Sequence, residues 1–98
     1  MKVLRFQAGY MAPPFFDSDP ETMGHIDVTS LNLSKNLSSL IIKWDSEYQN
    51  TFNEDYPPDS KFPTPDLEKL HNARGVELTL LIQKELGNNF LINFYPVT

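Results

Sequence analysis

The chain contains no cysteine. That excludes a disulfide framework, a thiolate metal site and a thiol nucleophile. Also missing are a Gly-rich phosphate loop, a Gly-x-Ser-x-Gly elbow and a His-x-x-x-His pair, the commonest signatures of phosphate binding, serine hydrolysis and helical metal sites. Positive charge is scarce, with eight Lys/Arg against thirteen Asp/Glu and a net charge of -5. Such a chain repels phosphate backbones and anionic lipid headgroups, so neither nucleic acid nor a membrane surface is an expected partner. Long apolar runs are absent too, and the first residues, Met-Lys-Val-Leu-Arg-Phe-Gln, interrupt hydrophobic positions with charge, unlike a secretion signal. The expected location is the cytoplasm. What the chain does have is large apolar side chains: 40% of its 98 residues are hydrophobic and 12% aromatic, enough for one compact core and one domain spanning residues 1–98.

Residues 3–10 alternate, with Leu4, Phe6, Ala8 and Tyr10 on one side, the period of a half-buried strand. Residues 11–27 carry Pro13, Pro14, Pro20 and Gly24 and read as a long loop, held to the core at Phe15 and Phe16, with room for a short strand near residues 25–28. Leu37, Leu40, Ile41, Trp44 and Tyr48 then recur at the three/four spacing of one helical face, predicting a helix over residues 35–51 capped by Ser34. Four prolines between residues 53 and 65 make a connector. Thr64-Pro65-Asp66 is a helix start, and Gly87 a stop. This second helix is apolar around much of its circumference and is expected at the centre of the core, covered on more than one side. Gly75 in its middle implies a close approach, most simply by another backbone or the Trp44 ring. Residues 90–95 alternate as a final strand. The expected fold is α+β, two helices packed on a small antiparallel sheet in the order strand, loop, helix, helix, strand, with a third strand from the first loop or a dimer completing the sheet.

Candidate chemistry is thin. His25 near Asp27, or His71 alone, is the best available general base for a small enzyme, yet no nucleophile stands at a recognisable spacing from either. Asp17, Asp19 and Glu21 alternate like calcium ligands, but Pro20 interrupts them and no bidentate glutamate follows at the required offset, so no metal or other cofactor is expected. The acids are instead unevenly spread. Nine of the thirteen lie in two stretches without a base, Asp17, Asp19, Glu21 and Asp27 in one, Asp45, Glu47, Glu54, Asp55 and Asp59 in the other. With Phe15, Phe16 and Tyr56 as aromatic anchors, these carboxylates suit a basic protein partner, attracting it at long range and holding it through desolvated aromatics. The solvated face that keeps a small protein soluble is the plainer alternative.

The order of Asp27, Leu31, Leu33-Ser34, Leu37, Leu40, Trp44 and Tyr48, then Pro58, Ser60 and Phe62, then Gly75, Leu78, Leu81 and Glu85-Leu86-Gly87 resembles the small immunity proteins of bacterial contact-dependent growth inhibition and related polymorphic toxin systems. The resemblance covers roughly the last three quarters of the chain. It implies a cytoplasmic antidote that binds the C-terminal toxin domain delivered by a neighbouring cell, often a nuclease, and blocks it without chemistry of its own. It supplies no catalytic residues, and it leaves the oligomeric state open.

Overall fold

The computed structural model describes residues 2–97. Strand β1 (Lys2–Phe6) is followed by β2 (Phe15–Asp17) and β3 (Gly24–Ile26), then by helices α1 (Lys35–Gln49) and α2 (Pro65–Leu86), and finally by β4 (Phe90–Phe94). The fold is α+β, and the four strands form one sheet in the order β3-β2-β1-β4. Two short strands inside the first loop complete the sheet within the chain, β3 close to where the sequence left room for one. Their pairings are antiparallel, Phe6 opposite Phe15 and Phe16 opposite His25. The sheet is nevertheless mixed rather than wholly antiparallel, because β4 runs parallel to β1 with Leu4 opposite Ile92. The cause lies in the helix pair. α1 ends beside Gly9 and Met11, α2 returns to the start of α1, where Glu85 meets Ser34, and the chain then has only one direction left for its last strand.

Both helix starts are those the sequence encodes. The Ser34 hydroxyl accepts from the Leu37 N–H at 3.2 Å, and the Thr64 hydroxyl accepts from the Leu67 N–H at 3.2 Å with Pro65 in the first turn. Gly87 ends α2 at a φ of 69°, a conformation that costs other residues about 1–2 kcal/mol. The core lies between the helix pair and one face of the sheet, with Leu4, Phe6, Phe15, Ile41 and Ile82 fully buried. Phe6 is its hub, with the Phe15 ring at 5.0 Å and the Trp44 ring at 4.8 Å. Trp44 also ties the helices together, its indole N–H donating to the His71 carbonyl at 2.9 Å.

Gly75 has the close approach its position implied, but the neighbour is Phe94 rather than Trp44. A Cβ at position 75 would overlap the Phe94 ring. β4 is held by α2 in a second way. The Gln83 side chain donates to the Phe90 carbonyl at 2.7 Å and accepts from the Ile92 N–H at 2.9 Å, imitating a neighbouring strand. Asn72 does the same for Val97, donating to its carbonyl at 3.0 Å and accepting from its N–H at 2.9 Å. Two side-chain amides thus occupy part of the sheet edge that β4 would otherwise present. The second helix departs from expectation in its burial. Only one side of α2 is covered, by the sheet and α1, while Leu67, Leu70, Leu80 and Leu81 remain 44–67% exposed.

Candidate partner-binding surface

The acidic residues do not gather on one face. Asp17 stands opposite Leu4 and pairs with Lys2, so the turn after it, with Asp19 and Glu21 exposed, lies at the N-terminal end of β1. The connector with Glu54, Asp55, Tyr56 and Asp59, all exposed, follows the end of α1, which is bonded to Gly9 and Met11 beyond the other end of β1. The protein is 40 Å in its longest dimension, and the turn with Asp19 and Glu21 lies at the opposite end of the sheet from the connector, while Asp27, following β3, lies at the connector's end.

Two of the expected contact residues are interior. Phe15 is fully buried and stacks on Phe6. Asp17 is 1% exposed and fully engaged: it accepts from the Thr22 hydroxyl at 2.6 Å, the Asp19 N–H at 3.0 Å and the Lys2 ammonium at 2.9 Å. Those bonds, the Thr22 one foremost, lower its pKa to about 2. Neither residue can touch a partner without disrupting the core, because β alternation sends both toward the helices. Phe16, one residue out of phase, is half-buried on the sheet's other face, with the Arg5 guanidinium 5.7 Å from its ring and His25 packed edge-on against it. Glu47 accepts from Arg74 at 3.1 Å across the helix pair.

Asp45 has a different environment. It is half-buried on α1, and that burial raises its carboxyl pKa while a hydrogen bond from the Gln49 amide works the other way. It lines a hollow of 450 Å³ between α1, the turn after β1 and the segment after β3. Met11, Pro13 and Ile42 give this hollow apolar walls, and Asp27 faces it together with Asp45. Met11 is built to be displayed. Its backbone adopts a φ of 58°, which costs a non-glycine residue about 1–2 kcal/mol, and its side chain is 83% exposed. Gln49 holds the turn in place, accepting from the Met11 N–H at 3.0 Å and donating to the Gly9 carbonyl at 2.7 Å. Ile42 is 50% exposed on the same wall. Sequence reasoning passed over Met11, Ile42 and Gln49. One signal was available: Ile42 lies out of phase with the Leu37, Ile41, Trp44 stripe, so it could not share the core with them.

The two histidines differ sharply. His25 is exposed on β3. His71 is 2% exposed, its ring stacked on Trp44 at 4.3 Å and flanked by Phe62 at 4.9 Å, and among the described residues neither ring nitrogen has a hydrogen-bond partner. Burial pushes its pKa down, with the Glu47 charge opposing and the Arg74 charge assisting. Among the described residues no cluster of three or more His, Asp or Glu is placed to hold a metal ion, and no helix is long and apolar enough to cross a membrane.

No match to the chain was found among curated proteins. A family model described as Serratia CdiI immunity protein-like matches residues 2–97, and the chain belongs to that family.

Proposed function

We propose that this immunity protein acts in the cytoplasm by binding its cognate toxin domain and occluding that domain's active or substrate-binding cleft, making and breaking no covalent bond. The partner read from the charge is a basic protein, of which a nuclease with a cationic cleft is the leading example. Its net charge complements a chain carrying -5. The observation that carries the reading is Met11, displayed on a strained turn that Gln49 clasps, in a hollow that Ile42 and the carboxylates of Asp27 and Asp45 also line. An exposed apolar anchor rimmed by charge of one sign is the make-up of a protein-binding hot spot for a partner of the opposite sign. Glu54, Asp55, Tyr56 and Asp59 extend the negative field from the connector. Asp19 and Glu21, at the opposite end, contribute only to long-range attraction.

The test is a binding measurement with the toxin domain encoded beside this chain. Met11→Lys, and Asp27→Lys with Asp45→Lys, should weaken the complex by about tenfold or more and abolish protection of cells expressing the toxin. Asp19→Lys with Glu21→Lys should leave affinity within about threefold. Full protection by the first group, or its loss only in the second, would move the interface to the other end of the sheet.

A further inference from the structure

The outer side of the helix pair carries an apolar groove that the sheet does not reach. At one end it is lined by Leu40, Trp44, Leu78 and Leu81 around a hollow of 230 Å³. The other end is lined by Phe62, Pro63, Leu67 and Leu70 around a hollow of 590 Å³. Glu47 and Arg74 line both hollows, so the two are one continuous groove spanned at its middle by that ion pair. Leu40 on α1 and Leu67, Leu70 and Leu81 on α2 are 44–51% exposed, although both helices carry the same kind of side chains inward. Half-exposed leucines gathered along one groove, rather than scattered singly, suit an interface.

The charges within the groove say what covers it. α1 contributes Lys43 and Glu47, α2 contributes Glu77 and Arg74, and the connector adds Lys61 at the far end, so the groove carries no excess of acid on a chain whose net charge is -5. Because the helices are antiparallel, cation faces anion across the groove at both levels. Among the described residues of the groove, Glu47 and Arg74 close an ion pair, while Lys43 and Glu77 line the same hollow without forming one. This arrangement is its own complement. When it is turned over about a two-fold axis lying along the groove, α1 of one copy falls on α2 of the other. Lys43 then meets the second copy's Glu77, and Leu40 meets its Leu81. A strongly basic toxin gains no attraction from a groove without excess acid, whereas two acidic chains approach each other best where the carboxylates are balanced. We propose that a second copy of this chain docks here, the two helix pairs forming a four-helix layer between two outward-facing sheets.

Sedimentation equilibrium of the purified chain tests this directly. A reversible, concentration-dependent dimer is expected. Leu40→Glu or Leu81→Glu should raise its dissociation constant by about tenfold or more, since each places an unpaired carboxylate in an apolar contact. Both sites are half-exposed, so at concentrations low enough for the wild type to be monomeric the variants and the wild type should melt alike. Lys43→Glu alone should weaken the dimer, and Lys43→Glu combined with Glu77→Lys should restore it. A chain that is monomeric at all concentrations, a dimer indifferent to Leu81→Glu, or a double exchange without rescue would each overturn the assignment. So would a monomeric chain whose Leu81→Glu variant loses the toxin, which would give the groove to the toxin instead. The Asp27 and Asp45 variants read toxin binding separately, so the two readings can fail independently.

Discussion

At the residue scale, three interior positions trade stability in measurable ways. Gly75 would gain about 1 kcal/mol of helix propensity as alanine, but the added methyl would overlap the Phe94 ring, and overpacking costs about 1–3 kcal/mol. Gly75→Ala should therefore destabilise the protein in a denaturant melt, and Phe94→Leu in the same chain should recover part of the loss. His71 supplies a pH dependence. Its folded pKa lies below the unfolded value, near 6.5, so the unfolded chain takes up a proton first as the pH falls. The contribution of the neutral ring is complete above about pH 6.5 and lost progressively below it. Melts between pH 7.5 and 5 should show stability falling toward acid in the wild type and a flatter profile in His71→Leu. Asp17 acts in a lower window: its stabilising bonds are intact above about pH 4 and lost as the pH falls toward about 2.

At the element scale, β4 depends on α2 for more than apolar packing. Gln83 fills backbone hydrogen-bond positions at Phe90 and Ile92 that no strand reaches. Gln83→Leu preserves helix propensity and side-chain size but leaves those groups to water. It should cost about 1–2 kcal/mol and speed hydrogen exchange at the Ile92 amide, while the amides of β1 facing β2 stay protected. The helix ends need no tertiary context. Ser34, Thr64 with Pro65, and Gly87 each satisfy or release a backbone group within a few residues of themselves, and they therefore stand in the sequence as they stand in the fold. The two short strands are a different case. Phe15–Asp17 and Gly24–Ile26 are three residues long and bounded by proline and glycine, so no period can build up, and only pairing with β1 makes them strands.

At the scale of the whole molecule, charge governs encounter. The association rate with a basic toxin should fall by about tenfold or more between 50 and 500 mM salt while dissociation changes little, as stopped-flow mixing would record. In the proposed dimer the same charge steers an acidic chain to meet its own copy at the helix groove, where acid is balanced by base, and not at the acidic ends.

The amino-acid order determined the helices, their caps, the terminal strands and the negative field, because each of these depends on neighbours in the chain or on composition alone. Tertiary structure decided which carboxylates and aromatics are available. Alternation in β2 sends Phe15 and Asp17 inward and Phe16 outward, and that parity follows from the register against β1, a contact made across the intervening loop. It also decided that α2, apolar around much of its circumference, is covered on one side only. An apolar side chain is the same object in a core and at an interface, and only the packed neighbours around Leu40, Leu70 and Leu81 reveal which of the two it serves.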